Sequence, residues 1–570
     1  MRFRSLAPLG VLALLPAGLL AQSAPRPQMA KKAAALPLKH KAKPTSAAIS
    51  TADLMTRLYV FADDSMMGRE AGTIGHMKGT AYIAAEAKKL GLKPGGDNGT
   101  YFQDVPFVSR KLDRNTSLSS DNKLFTAFAD FAAIPFRGAA PRKLDGTTAI
   151  YGGVLGDTAH ALTAEQAAGK LVLVTLAPGA GVPRALGPLS QAAAVGIIGG
   201  PMLTPQQVAL GRQASLTLKP APNAPAVPVT LYLTSTMAQT LLGGPVDGMA
   251  VGTAGKQVVG NLIYEETPAP TRNVVAILPG VDAKLKGEYV AIGAHSDHIG
   301  LRAAGAVDHD SLHAFNSARW FATENPSGAP LTPEQRQAQQ ARIAAIRVNF
   351  DSLRAANPVR RDSINNGADD DGSGTVTVLE VAEAFAKGKV KPKRSILFVW
   401  HTGEEKGLLG SRYYTDNPTV PRDSIVAQVN IDMVGRGAAS DLAAGSDSYL
   451  QLVGSRRLST ELGDLTETLN KAQKKPFTFD YAFDANGHPD NIYCRSDHYN
   501  YARYGIPVVF LTTGLHGDYH QVTDEPQYID YPHMAHIGQF VFSLMDRVAG
   551  LDHRPVVDKA KPDPAGVCRQ

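Results

Sequence analysis

Cysteine is almost absent from this chain: its 570 residues carry two, Cys494 and Cys568. A protein of this length is therefore no disulfide scaffold, and it is long enough to bury the cores of two or three domains. Export permits the two to pair, but Cys494 lies in an aromatic segment and Cys568 in a polar tail, so two free thiols are the expectation. Long apolar runs are also missing, with one exception. Leu6 to Leu20 follows Met1-Arg-Phe-Arg and ends near Ala21, which reads as a secretory signal peptide over 1–21. The run is too short for a comfortable membrane span, and no cysteine follows it to take a lipid. The expected location is secreted or periplasmic, with no stable membrane insertion. Acid is missing from the first fifty residues, which hold eight Lys and Arg and no Asp or Glu. They alone make the chain basic. The formal charge is +6, yet the rest carries 50 basic against 52 acidic residues. By charge, the body is not a nucleic-acid binder. Residues 22–50, rich in Ala, Pro and Lys, read as a disordered lead-in.

Against these absences stands one dense cluster, Asn366-Gly-Ala-Asp369-Asp370-Asp371-Gly-Ser-Gly374, just ahead of an apolar helical run from Val376 to Ala386. Crowded carboxylates repel unless solvent surrounds them or a cation offsets them. The turn alone fits a solvated acidic loop, a calcium loop or a catalytic metal site. Other clusters flank it in order. Tyr289 to Ala294 is an apolar run that ends in His295-Ser-Asp297, as a buried parallel strand delivering a histidine at its carboxyl end would. Asp297 is placed to accept the second ring N–H of His295 and fix its tautomer. Ser395 to Trp400 is a second apolar strand, closed by His-Thr-Gly-Glu404-Glu405. Adjacent glutamates project differently, so one can ligate metal while the other takes a proton from water. In Ile425 to Gly435, Asp432 interrupts a third apolar strand, and buried charges need partners. Pro507 to Thr513 is a fourth strand, followed by Gly517-Asp-Tyr519-His520. Nitrogen and oxygen ligands from scattered strand ends suit zinc, and no cysteine joins them, which argues against a structural zinc knot. Five such groups make two metals about 3.5–4 Å apart plausible.

The pieces His295-Ser-Asp297, Asp370-Asp371-Gly-Ser-Gly, Gly403-Glu404-Glu405, Asn430-Ile-Asp432, Arg495-Ser-Asp497-His498 and Tyr519-His520 together resemble the secreted zinc aminopeptidases, the co-catalytic di-zinc exopeptidases. Gly68-Arg-Glu-Ala-Gly72 and Leu90-Gly-Leu-Lys-Pro94 extend the resemblance towards the N-terminus. It implies two Zn2+ per chain, with Asp370 bridging, His295 and Asp432 on one metal and Glu405 and His520 on the other. It implies Glu404 as general base, Asp297 as orienting carboxylate, Tyr519 at the oxyanion, Arg495 at the substrate and a cis bond after the bridging aspartate. It implies peptide substrates with a free N-terminus. Relatives on the fold include glutamate-type carboxypeptidases, glutaminyl cyclases and receptor-like proteins without chemistry. The first would need a basic pocket that the sequence does not locate, and the last lack ligands that are all present here.

The pattern implies an α/β fold, a mostly parallel mixed sheet with helices on both faces. Residues 51–130 and 256–552 read as its two parts and 553–570 as a tail. The Gly-, Ala- and Pro-rich stretch 131–255 resembles an inserted, β-rich protease-associated domain, within which Gln191 to Gly200 reads as a helix feeding a strand. A further insertion, 302–361, separates His298 from the acidic turn. Within it Thr332-Pro-Glu-Gln335 reads as a capped helix start, and Ile343, Ile346, Phe350 and Leu353 as a single stripe packed on the body. It is expected to wall the cleft or to decorate the surface, and His309 and His313 within it are not expected to be zinc ligands. Oligomeric state is not legible.

Overall fold

Four strands read from the sequence as buried apolar runs lie side by side. They are β4 (Tyr289–His295), β5 (Ser395–His401), β6 (Ile425–Ile431) and β9 (Val508–Thr512), in a nine-stranded mixed sheet. The others are β1 (Lys93–Pro94), β2 (Phe102–Val105), β3 (Thr271–Leu278), β7 (Tyr449–Val453) and β8 (Thr478–Asp480). The order is β1-β3-β5-β4-β6-β9-β7-β8, with β2 also on β3. β5, β4, β6 and β9 run parallel to one another, so their carboxyl ends share one edge. The computed structural model describes residues 36–134, 140–177, 181–182, 186–219, 227–323, 325, 331–356, 358–566 and 568–570. The expected signal peptide, and the lead-in as far as residue 35, lie outside the described residues.

Both faces of the sheet are covered, which is why β5, β6 and β9 are buried along their whole length. The helices used below are α1 (Thr51–Phe61), α2 (Ile74–Lys89), α3 (His309–Thr323), α4 (Pro333–Ala344), α5 (Phe350–Ala356), α6 (Gly374–Lys387) and α7 (Tyr531–Ala549). α6 lies under one face, where the Trp400 indole donates to the Thr375 carbonyl. α1 and α7 pack against it. Alternate residues of β5, Leu397 and Val399, point the other way, into a cluster with Tyr414 and Tyr501 from the helices on the opposite face. A second sheet, drawn from residues 117–262, has its own core around Leu171, Leu173, Leu231 and Leu233. Among the described residues, no helix is long and apolar enough to cross a membrane.

Four expectations change. Residues 38–50 do not stand apart as a disordered lead-in. Ile49 is buried, Ser50 caps α1, and the Ser46 amide and hydroxyl both bond to Asp53. Around Gln191 there is only a short turn, Gly187–Gln191, before the strand Ala194–Ile198, because Gly and Pro at its start do not sustain a longer helix. In the insertion the capping box of Thr332 and Gln335 is present, but α4 ends at Ala344 and α5 begins at Phe350, so the stripe from Ile343 to Leu353 is broken. α4 buries no residue. It leans on α3 instead, where Gln339 and Arg342 donate to the Thr323 and Ala322 carbonyls. Finally, Cys494 and Cys568 are not free thiols but a disulfide. The tail folds back beneath the aromatic segment, and Gln570 accepts from the Tyr493 amide at 2.9 Å and donates to the Ala485 carbonyl at 2.9 Å.

Candidate metal and catalytic centre

Sheet topology gathers the candidate ligands at one edge. His295 is the last residue of β4, Glu404 and Glu405 follow β5, Asp432 follows β6, and His520 stands in the loop between β9 and α7. Asp370 comes from the acidic turn that opens α6. Of the three aspartates only Asp370 aims into the cleft. Asp369 accepts from the Gly435 amide and the Ser373 hydroxyl. Asp371 accepts from the amides of His295, Gly374 and Met433. The turn is tight: Gly367 has φ +53°, and a Cβ there would lie 2.3 Å from the Asp370 carbonyl oxygen and 2.5 Å from the His298 ring. The peptide between Asp370 and Asp371 is cis, as the resemblance implies.

The two oxygens of Asp370 face two different groups. Oδ1 lies 3.1 Å from His295 Nε2, which is 3.6 Å from Asp432 Oδ1. Oδ2 lies 3.1 Å from His520 Nε2, which is 3.0 Å from Glu405 Oε2. Ligand atoms around a tetrahedral zinc, at about 2.0–2.2 Å from the metal, stand about 3.3 Å from one another. Both sets match that spacing. Asp370 Oδ2 and His520 Nε2 are buried and close, yet neither makes a hydrogen bond among the described residues. They converge on a point rather than on each other, as two donors to a shared cation do. The residues present thus fit two divalent ions joined by one carboxylate.

The electrostatics agree. Burial lowers the His520 pKa, yet the Asp370 and Glu405 carboxylates raise it overall to about 10. Burial and Asp370 push Glu405 up, but the hydrogen bond from His298 and the neighbouring His520 imidazole hold it down at about 2. Burial, with Glu405 and Asp432 adding to it against His295, pushes Glu404 well above the usual carboxylate range. Such opposed shifts within one cleft mark an excess of negative charge that calls for a cation.

Asp297 stands where expected but works through different atoms. His295 Nδ1 donates to the Asp297 backbone carbonyl at 3.0 Å, while the carboxylate Oδ1 is 3.9 Å away. That carboxylate instead accepts from the Glu404 amide at 3.2 Å. Burial raises the Asp297 pKa to about 7. Tyr519 stacks on His520 with ring centroids 3.9 Å apart, and Arg495 donates to its hydroxyl at 3.4 Å. Beside the candidate ligands, the pocket is walled by Met433, Phe483, Ile492, Phe510 and Leu515. Arg495 is the one Lys or Arg among its described lining residues.

Sequence reasoning passed over three residues. His298, fully buried, donates from Nδ1 to Glu405 Oε1 at 2.8 Å and so leaves Oε2 turned towards His520. Its signal was a second histidine three residues after the first. Asp524 binds the acidic turn from behind, and His516 Nε2 lies 3.3 Å from Asp369 Oδ2; neither carries a local signal. A further group, His309, Asp362 and Glu525, also lies within metal-binding reach. There the Arg360 guanidinium already supplies the cation, 2.6 Å from the His309 ring and 3.1 Å from Glu525.

Comparison with known proteins follows the same line. Residues 337–545 match the model of Peptidase family M28. Leucine aminopeptidase 1 of Ajellomyces capsulatus is 31% identical over 202 residues, which is 33% of this chain and 48% of that protein. Leupeptin-inactivating enzyme 1 of Streptomyces exfoliatus is 40% identical over 77 residues, 13% of this chain and 18% of that one. The chain thus spans about half the length, or less, of these curated relatives. Among solved structures, an aminopeptidase from Aneurinibacillus sp. strain AM-1 is 17% identical with a TM-score of 0.46, over 90% of this chain and 97% of that one. BSAP, a zinc aminopeptidase from Bacillus subtilis, is 16% identical with a TM-score of 0.45, over 91% and 100%. Over residues 337–545, the chain is thus similar to Peptidase family M28.

Proposed function

We propose that this protein is a secreted metallo-aminopeptidase that removes N-terminal residues from peptides with two zinc ions. The observation that carries the reading is the divided Asp370 carboxylate, with one oxygen beside His295 and the other beside His520. His295, Asp370 and Asp432 would hold one ion, and Asp370, Glu405 and His520 the other. Bound zinc supplies Lewis acidity towards a carbonyl and a water. The remaining work falls to side chains. Glu404 lines the pocket beside Asp370 and Asp432 and takes the proton of the attacking water, then passes it to the leaving amine. Its raised proton affinity suits that exchange. Asp297 joins the two halves of the machinery, because its carbonyl orients His295 and its carboxylate anchors the Glu404 backbone. Tyr519, with Arg495 at its hydroxyl, is placed to meet the developing oxyanion.

A floor of carboxylates favours a cationic α-amine, and apolar walls favour an apolar N-terminal side chain. A carboxypeptidase for glutamate-like termini would need several cations, and among the described residues that line the pocket Arg495 is the one Lys or Arg. The stretch 131–255 is proposed to be the inserted protease-associated domain, with the second sheet reaching beyond it on both sides, from residue 117 to 262. A disulfide suits an oxidising compartment, as the expected signal peptide does.

The test is hydrolysis of free, N-acetylated and C-amidated dipeptides by purified protein, with zinc measured on the same sample. Cleavage confined to substrates with a free amine, at about two zinc ions per chain, is expected. Equal rates on acetylated and free substrates would overturn the reading.

A further inference from the structure

Among the described residues, the 302–361 insertion meets the loop that carries His520 through α3. α3 presents His309, His313 and Asn316 to the body, with His309 and Asn316 buried. His313 Nδ1 donates to Asp518 Oδ1 at 2.9 Å, and its ring stacks on Tyr528 with centroids 4.0 Å apart and planes 10° from parallel. Asp518 stands two residues before His520. Its other bonds come from within the body, from the Thr523 hydroxyl at 2.6 Å and Arg436 at 2.9 Å. One residue earlier, the loop presses on α3 itself: a Cβ on Gly517 would lie 2.9 Å from the Asn316 carbonyl oxygen. The loop then turns through His520 at φ +57°, a conformation that a residue other than glycine holds only when its surroundings impose it.

None of the described residues that wall the pocket comes from the insertion. Its described part backs the loop that carries Tyr519 and His520. We propose that His313 is a positioning residue for the centre: through Asp518 it fixes the loop that presents His520 to the ion shared with Asp370 and Glu405. This rests on the two-metal reading above. The His295 and Asp432 side of the site hangs on β4 and β6 rather than on this loop, so the effect is confined to one ion of the pair.

Three variants separate hydrogen bond from bulk. His313→Ala removes both ring and donor, His313→Phe keeps a ring to stack on Tyr528 without the donor, and His313→Asn keeps a donor near the Nδ1 position. Zinc affinity at each site is measured by competition with a chelator on full-length protein, with thermal unfolding of the metal-free forms as a check on folding. Wild-type protein is titrated first; fewer than two ions there would refute the two-metal reading itself. With two ions bound, His313→Ala and His313→Phe are expected to weaken one site about 10- to 100-fold and leave the other unchanged, and His313→Asn to restore most of the loss. Two-site binding unchanged in His313→Phe, or equal weakening of both sites, overturns the inference while leaving the two-metal reading intact. So does failure of His313→Asn to rescue. His313→Phe and His313→Asn keep the comparison decisive even where His313→Ala fails to fold.

Discussion

Asp524 accepts hydrogen bonds from two successive backbone amides of the acidic turn, Asp369 N at 3.0 Å and Asp370 N at 3.1 Å. A carboxylate is thus tied to the main chain of the very residue whose side chain is divided between two groups. Asp524→Asn turns one acceptor into a donor that faces those amides. Loss of charged hydrogen bonds at a buried site costs about 1.5–3 kcal/mol. The variant is expected to unfold at lower denaturant concentration by that amount and to retain less metal. Unfolding curves and elemental analysis would check both, and an unchanged midpoint would show that the turn holds itself.

Glu404 and Glu405 are neighbours with different tasks, and isosteric substitution separates them. Glu404→Gln is expected to keep its metal and to lose roughly 10²–10⁴-fold in rate. Glu405→Gln removes a charge shared by His298 and His520 and is expected to lose metal first. Zinc content and dipeptide hydrolysis on both variants decide the matter. The reverse pattern would exchange the two roles.

The Cys494–Cys568 disulfide closes a loop between residues 74 apart in sequence, for which loop entropy gives roughly 4 kcal/mol of stabilisation. Cys494→Ser is expected to cost about 2–5 kcal/mol of stability. The same segment contributes Phe483, Ile492 and Arg495 to the pocket, so KM should rise more than kcat falls. Equal effects of the substitution on both constants, or on neither, would dissociate the tail from the pocket wall.

His76 reports on acid. It is fully buried between Ser296 and Thr271, and burial, with Arg272 and Arg69 adding to it, lowers its pKa from the ordinary 6.5 to about 3. Between those values the unfolded chain takes up a proton that the folded one refuses, so stability falls as pH drops from about 6.5 towards 3. The slope from this one group approaches about 1.4 kcal/mol per pH unit. Denaturant midpoints of the metal-free protein between pH 7 and 5 should fall less steeply in His76→Gln. Parallel curves for variant and wild type would remove His76 from the account.

The candidates His295, Glu405 and Asp432 were legible because each stands at or just beyond the end of an apolar strand, where a polar residue has few other uses. Which of the three aspartates serves was not legible from the residues themselves, since Asp369 and Asp371 find their partners at Gly435, His295 and Met433, far along the chain. The family resemblance chose Asp370, and the turn directs that residue into the cleft. Asp524 and His298 escaped for a related reason: their importance lies in what they touch across the fold. The insertion misled because the spacing from Ile343 to Leu353 continues at helical period through a stretch where the helix itself stops. The disulfide escaped because nothing in a polar tail announces that it doubles back.

The candidate ligands stand at residues 295, 370, 405, 432 and 520, each on a different strand end or loop, and none of the groupings is local. A chain still emerging or half-folded therefore possesses at most scattered single donors, which bind divalent ions weakly. On the proposed reading, latency comes with this topology: a centre that exists only once the sheet has closed does nothing in an unfinished chain. On that reading metal uptake would be a late event, and loading would mark the completion of folding.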